Sequence, residues 1–281
     1  MILNDLLQGA QDKLTPLYGS GEAKWLVRTI IEHVKGWNQV EVSLRRNEDM
    51  SDFIVGKVND AVDKLLVNEP VQYIFGDTYW YGMTLKVTPD VLIPRPETEE
   101  LVDMIVKENK SPDLKVLDIC TGSGCIAVAL AKNLPYSTVR GVDISAAALE
   151  VARQNAELQH AKIDFQKNDA LSMVADTKEK YDIIVSNPPY IVEREKKNMC
   201  ANVLDYEPHL ALFIPDDEPL KFYKAISEYA FDSLTNQGKL YFEINPIFSD
   251  KLTEMLSSQG WSDIQIYPDM YGKKRVARAL K

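Results

Sequence analysis

The sequence predicts an α/β protein: a mostly parallel sheet with helices on both faces and an antiparallel C-terminal strand, preceded by a small helical domain and a β-hairpin linker. Three observations carry this expectation. The first 70 or so residues place apolar side chains at helical steps, a short stretch rich in aromatic and β-branched residues follows, and beyond it strand-like runs alternate with helix-length segments.

In the helical part, GEAKWLVRTIIEHVKG from Gly21 has an acid near its start and Gly36 at its end, the pattern of a capped helix. From Ser51, a suitable N-cap, Phe53, Ile54, Val58, Ala61, Val62, Leu65 and Leu66 recur at three- and four-residue steps and define one apolar face. The texture then changes to TYWYGMTLKVTPDVLI, broken by Gly82 and Pro89, which reads as a two-stranded hairpin. Boundaries are set at 1–73 for the helical domain, 74–94 for the hairpin linker and 95–281 for the sheet domain.

Within the sheet domain the strands are KVLDIC, STVRGVDI, KIDFQKND, YDIIVSNP and GKLYFEIN, separated by segments such as SAAALEVARQNAEL that are long enough for crossover helices. DIQIYP and KKRVARAL leave no room for a helix between them and are expected to pair antiparallel. Residues 194–219, with Pro208, Pro215 and Pro219, read as a long irregular insertion beside the fourth strand.

Composition excludes several classes. Among 281 residues, 45% are hydrophobic, enough for a real core, yet no stretch approaches the roughly 18 apolar residues of a membrane span. The opening MILNDLLQGAQDK lacks the basic start and apolar run of a signal peptide, so a cytoplasmic protein is expected. Cys120, Cys125 and Cys200 show no paired spacing, and His33, His160 and His209 are scattered, which argues against disulfides and metal. The formal charge is −10, spread evenly: 9 Lys and Arg face 12 Asp and Glu in residues 1–88, and 23 face 30 in the remainder. Such a chain gains little of the counterion-release energy that drives nucleic-acid binding, although Lys273, Lys274 and Arg275 form a local basic cluster.

Chemistry concentrates at two strand ends. In VLDICTGSGCIAVALA an apolar strand enters a glycine-rich turn and then an apolar helix. Gly122 and Gly124 permit tight backbone geometry, and the helix start offers N–H groups and positive potential to a nucleotide-like cofactor. The loop fits two cofactor classes, because Gly122, Gly124 and Ala127 also satisfy the dinucleotide fingerprint. Asp118, just before the turn, can take contacts from the loop or from a methionine ammonium. Asp143, at the end of the next strand, can accept two ribose hydroxyls or cap the following helix. Asp169, after the third strand, reads equally as an adenine partner and as a solvated loop acid, while Cys120 and Cys125 are expected to pack.

The fourth strand runs directly into Asn187-Pro188-Pro189-Tyr190, at the carboxyl end where open α/β sheets bind ligands. Two consecutive prolines restrict the chain, so the Asn187 side chain and neighbouring carbonyls can be held in one posture. An amide or aromatic amine nitrogen is a poor nucleophile because its lone pair is delocalised. If the Asn187 side-chain oxygen and the Pro188 carbonyl each accept one of its N–H groups, its attacking form is favoured. Tyr190 can stack on a planar amide, with its electron-rich face near a sulfonium. No general base is needed before attack, since the nitrogen becomes more acidic as it gains the methyl group.

The chain resembles the HemK/PrmC family, the peptide-chain-release-factor glutamine N5-methyltransferases, over nearly its whole length. The strings that carry the likeness are EPVQYIFG at 69–76, VLIPRPETEELV at 91–102, DICTGSGC, SNPPY, and YEPHLAL at 206–212. The resemblance implies a Rossmann-like class I methyltransferase domain that takes S-adenosyl-L-methionine and releases S-adenosyl-L-homocysteine. It implies that Arg95, Pro96, Glu97 and Thr98 cover the cofactor and that Cys120, Thr121, Gly122, Ser123 and Gly124 hold its methionine moiety. Asp118 and Asp143, the latter on the ribose, Asp169, Ala170 and Asn187 complete the cofactor site, and Asn187 through Tyr190 receive the substrate glutamine. The substrate implied is the glutamine of the Gly-Gly-Gln loop in class I release factors, met by a monomer without nucleic acid or membrane. Without the family, Pro94 and Pro96 read as ending the hairpin and Thr98 as capping the next helix. Tyr206 and Glu207 are expected to brace the substrate loop rather than react.

Cys120 stands where relatives commonly carry glycine, Ala170 follows Asp169 where many carry tryptophan, and LFIPDDEP lacks glycines frequent in that loop. Two other acceptors compete. Glutamine methyltransferases acting on a ribosomal protein tend to carry a P-R-S string where this chain has Pro94-Arg95-Pro96-Glu97, and an adenine-N6 methyltransferase would be expected to add a basic recognition region.

Overall fold

A computed structural model describes residues 1–176 and 178–281. The chain divides into two compact units, residues 1–76 with Ala201–Tyr206, and residues 77–200 with 207–281.

The first unit is helical. Helix α1 (Leu3–Lys35) contains Pro16 and is kinked at Gly19, and it ends on Gly36 in the left-handed conformation, whose N–H caps the Glu32 carbonyl. Helices α2 (Gln39–Leu44), α3 (Asp52–Leu66) and α4 (Val71–Phe75) follow. Ser51 caps α3, and Val58, Ala61, Val62 and Leu65 pack on Leu14, Ile30 and Ile31 of α1. Phe53 and Leu66, expected on that apolar face, are exposed; Phe53 lies at the first turn, with the Lys57 ammonium over its ring. Tyr206, in the short segment Ala201–Tyr206, donates its hydroxyl to the Val67 carbonyl at 2.8 Å.

The second unit opens with a hairpin, β1 (Asp77–Trp80) and β2 (Met83–Lys86), paired antiparallel as its composition predicts. Then α5 (Pro96–Glu108), β3 (Lys115–Ile119), α6 (Cys125–Asn133), β4 (Thr138–Asp143), α7 (Ala146–Leu158), β5 (Ile163–Lys167) and β6 (Tyr181–Ser186) follow in alternation. The insertion expected to be irregular is instead built of short elements. They are β7 (Ile191–Val192), a 3-10 turn at Glu193–Asn198, helix α8 (Ala201–Tyr206), a second 3-10 turn at His209–Ala211, and β8 (Phe213–Ile214), which pairs parallel with β7. Val192, Ile214 and Phe248 bury one another there, a satellite core that periodicity in so short a stretch does not announce. Helix α9 (Lys221–Ser233), β9 (Leu234–Glu243), α10 (Ser249–Ser258), β10 (Ser262–Pro268) and β11 (Lys274–Leu280) complete the chain.

The seven-stranded sheet has the order β10-β11-β9-β6-β3-β4-β5. Pairs from β9 to β5 are parallel, and β11 and β10 add antiparallel, as the missing crossover requires. Alternate residues feed two cores: Val116, Ile183, Val185 and Tyr241 face α5, α6 and α7, while Leu117, Ile119, Ile184, Leu240 and Phe242 face α9 and α10. From β3 the chain runs one way to β4 and β5 and returns to the other side as β6, so the crevice between β3 and β6 is the switch point where such sheets bind ligands. Ser186 donates its hydroxyl to the Ile119 carbonyl at 2.6 Å and ties the two strand ends together. Among the described residues, no helix is long and apolar enough to cross a membrane.

Candidate active site

At the switch point lies a cavity of about 330 Å³, in the range of small-ligand sites. Arg95, Thr98, Cys120, Thr121, Gly122, Ser123, Asp143, Asp169, Ala170, Asn187 and Pro189 lie on its wall. Asp118, Gly124, Pro96, Glu97, Pro188 and Tyr190 lie off it.

The turn after β3 is shaped by backbone demands. Cys120 (φ 61°), Gly122 and Gly124 all adopt positive φ, a conformation that favours glycine at all three positions. At Gly124 a side chain is also excluded by space, since a Cβ would meet Ala152 of α7 at 3.0 Å. Asp118 is fully buried behind the turn; its Oδ2 accepts from the Thr121 hydroxyl at 2.6 Å and from the Ala127 N–H at 3.2 Å, and its Oδ1 has no protein partner. Burial pushes its pKa up to about 7, against the pull of those two donors. One N–H of the first turn of α6, which the sequence offers to a ligand, is thus taken by Asp118.

Asp143 holds the turn from the neighbouring strand. Its Oδ2 accepts from the Gly122 N–H and its Oδ1 from the Ser145 N–H, both at 2.9 Å. It does not cap α7; Ser145 does, through the Ala148 N–H. Burial raises the pKa of Asp143 and the backbone donors lower it. Asp169 accepts from the Leu171 N–H at 2.9 Å, and Ala170 is buried among core side chains.

The wall nearest the hairpin is organised by Glu207, buried at 4% exposure, which binds the Arg95 guanidinium at 2.5 Å and the Ile93 N–H at 3.1 Å. Arg95 is the N-cap residue of α5 and Pro96 its first residue; Thr98, inside the first turn, does not cap. Instead its hydroxyl donates to Glu243 at 2.6 Å, and the Asn187 Nδ2 lies 3.4 Å from its oxygen. Tyr190 donates its hydroxyl to the other oxygen of Glu243 at 2.9 Å, while Asn245 donates to the Tyr190 carbonyl at 3.1 Å. Burial raises the pKa of Glu243, opposed by Thr98, Tyr190 and the nearby Arg275; that of Tyr190 lies well above its ordinary value through burial and the Glu243 charge.

Family comparison agrees with this architecture. Residues 97–207 match a model described as the methyltransferase small domain, and residues 5–76 match the PrmC N-terminal domain. The chain is 42% identical over 278 residues to the release factor glutamine methyltransferase of Bacteroides thetaiotaomicron, covering 99% of each. The chain belongs to the release factor glutamine methyltransferase family. A relative of the same name in Streptococcus pneumoniae is 51% identical over 80% of this chain and 75% of its own. Solved structures share the methyltransferase fold at low identity. A methyltransferase from Pyrococcus furiosus matches with TM-score 0.53 and 18% identity over 79% of this chain and 98% of its own. A human methyltransferase 10 domain containing protein matches with 0.51 and 19% over 72% and 90%.

For a methyltransferase of this family, the residues present fit a nucleoside-bearing methyl donor. Each Asp143 oxygen spends one lone pair on a backbone N–H and keeps acceptor capacity for a hydroxyl, and a Cβ built on Gly122 would meet nothing within 4 Å, so backbone can be approached there. Three polar residues central to this geometry were not singled out from sequence. Glu243 and Asn245 stand in GKLYFEIN, where an acid closing an apolar strand beside the Asn187 strand is the signal that could have found them. Asn155 joins the hairpin to the turn, accepting from the Lys86 N–H and donating to the carbonyls of Lys86 and Ser123; nothing in the helical segment around it marks it.

Proposed function

We propose that this enzyme transfers the methyl group of S-adenosyl-L-methionine to the side-chain N5 of the glutamine in the Gly-Gly-Gln loop of class I release factors, leaving S-adenosyl-L-homocysteine. The observation that carries this reading is that one cavity has the glycine turn and Asp143 on one wall and Asn187 on another, at the adjacent ends of β3 and β6. The donor supplies an electrophilic methyl group on a sulfonium sulfur.

The chain's residues do the rest. Asp143 accepts the ribose hydroxyls, residues 120–124 hold the methionine moiety with Asp118 behind them, and Asp169 and Ala170 border the adenine. Arg95 through Thr98 cover the site, with Arg95 pinned by Glu207. The Asn187 oxygen and the Pro188 carbonyl accept the acceptor's N–H groups, leaving its lone pair directed at the methyl group. As the N–C bond forms and the S–C bond breaks, the nitrogen becomes acidic and releases one proton to water. Tyr190 stacks on the amide plane, its hydroxyl anchored on Glu243. Alignment of two bound reactants contributes up to about 7 to 11 kcal/mol to such a reaction.

Residues 1–73 recognise the folded factor, 74–94 link, and 95–281 catalyse. Recognition away from the reacting atoms supplies the binding energy that positions a loop in a narrow site. The even negative charge favours a protein acceptor in the cytoplasm over nucleic acid, with the enzyme acting as a monomer. The test is transfer of a labelled methyl group to a wild-type release factor and to one whose loop glutamine is alanine, mapped by mass spectrometry. Label on the loop glutamine of the first and none on the second is expected; equal labelling of both, or preference for DNA, would overturn the reading.

A further inference from the structure

The carboxamide of Asn187 has two ends of similar shape and opposite chemistry: an oxygen that only accepts and a nitrogen that only donates. Holding an acceptor nitrogen by its N–H requires the oxygen to face the substrate. What makes that choice lies behind the residue. Thr98 Oγ1 is 3.4 Å from Asn187 Nδ2 and 2.6 Å from Glu243 Oε2. A threonine hydroxyl has one proton, and Glu243, which also receives the Tyr190 hydroxyl on its other oxygen, takes it. Thr98 then has only lone pairs to offer Asn187, so it attracts the NH₂ and repels the amide oxygen. Thr98 and Glu243 are 2% and 1% exposed, so bulk water cannot stand in for either.

We propose, resting on the acceptor-amide reading above, that Glu243 and Thr98 form a positioning relay that sets the polarity of the Asn187 amide, NH₂ inward and oxygen toward the substrate nitrogen. The relay draws on three elements remote in sequence: the first turn of α5, the end of β9 and the turn after β6. None of its members exchanges a proton with the substrate. Glu243 touches no reacting atom and acts only by accepting from Thr98 and Tyr190, which fixes the direction of both hydrogen bonds.

The test uses the full chain with Thr98→Val, which keeps the shape and removes the hydroxyl, and Thr98→Ser, which restores it. Glu243→Gln serves as a second break, because its NH₂ can donate to Thr98 and reverse the direction. Thermal melting and cofactor calorimetry accompany kcat and KM on an intact release factor. Thr98→Val is expected to lower kcat by about 10-fold or more, the scale of losing one hydrogen bond in a charge-assisted chain. Because Thr98 also belongs to the covering segment, cofactor Kd is expected to change far less than kcat rather than not at all, and Thr98→Ser to keep kcat within about threefold of wild type, the signature of an interaction used chiefly in turnover. Should Thr98→Val not fold, Glu243→Gln carries the same expectation. Wild-type kcat in Thr98→Val, equal loss in Thr98→Ser, or a fall in cofactor affinity parallel to kcat would each overturn the relay. Failure of the wild-type enzyme to label the loop glutamine would instead sink the functional reading, and the relay with it.

Discussion

The turn after β3 and the turn after β6 border one cavity, yet they are held in place by different means. In the first, carboxylates bind nearby backbone and hydroxyl groups: Asp118 reaches three and nine residues along the chain, and Asp143 reaches 21. In the second, Asn187 leans on Thr98 at a separation of 89 residues, and Tyr190 on Glu243 and Asn245 at 53 and 55. The turn after β3 is held by partners on its own strand and helix and on the neighbouring β4. The turn after β6 takes its contacts from α5 and β9. The first turn is thus held by partners at most 21 residues away, while the posture of the Asn187 amide depends on segments 53 to 89 residues distant.

Substitutions on the two sides should separate accordingly. The largest effect is expected for Asn187→Ala, which should leave cofactor affinity unchanged and lower kcat by about 100-fold or more, the scale of losing a preorganised polar group at the reacting centre. Steady-state kinetics beside calorimetry checks this; weakened cofactor binding would show that the two sides are not separate.

Asp143→Ala should do the converse. Removing hydrogen bonds to a charged group costs about 1.5 to 3 kcal/mol, which corresponds to a rise of about 10- to 150-fold in the cofactor Kd. At saturating cofactor, kcat should change far less than it does in Asn187→Ala. An unaltered Kd by calorimetry would remove Asp143 from the cofactor site.

The smallest effect on turnover is expected at Asp118, where stability rather than affinity is the readout. Its folded pKa is raised from 3.8 to about 7 by burial, so the folded state holds a proton that the unfolded state releases. Its contribution is fully present below about pH 4 and is lost as pH rises through about 7, with a slope of at most about 1.4 kcal/mol per unit. Asp118→Asn keeps the shape and cannot ionise, so its melting temperature should gain on wild type between about pH 4 and 7, as followed by calorimetry. Parallel melting curves for the two proteins would mean that Asp118 is charged in the fold.

The same contrast governs how much was legible beforehand. Alternation in KVLDIC, STVRGVDI and YDIIVSNP located the parallel strands, and the short gap between DIQIYP and KKRVARAL located the antiparallel pair, because burial on both faces and crossover length are properties of contiguous residues. The glycine turn was legible for the same reason, whereas the positive φ of Cys120, a conformation that favours glycine, was not. The short elements within 194–219 are not legible, because a two-residue strand carries no periodicity; β8 is specified by pairing with β7, just before that stretch. Thr98 was read without the family as a cap, since a hydroxyl near a helix start is usually one, and only the presence of Glu243 directs it elsewhere.

What the sequence by itself determined, then, is the class of fold, the strands along the chain and the two strand ends where chemistry gathers, all encoded in neighbours along the chain. What the tertiary structure decided is which way those groups face. Asp118 is sealed behind the turn, Ser145 rather than Asp143 caps α7, and Asn187 meets Thr98, itself committed to Glu243. The physical reason is that a hydrogen bond's direction depends on what its partner is already bonded to. In a packed interior those partners come from wherever the chain has returned, which no local pattern records.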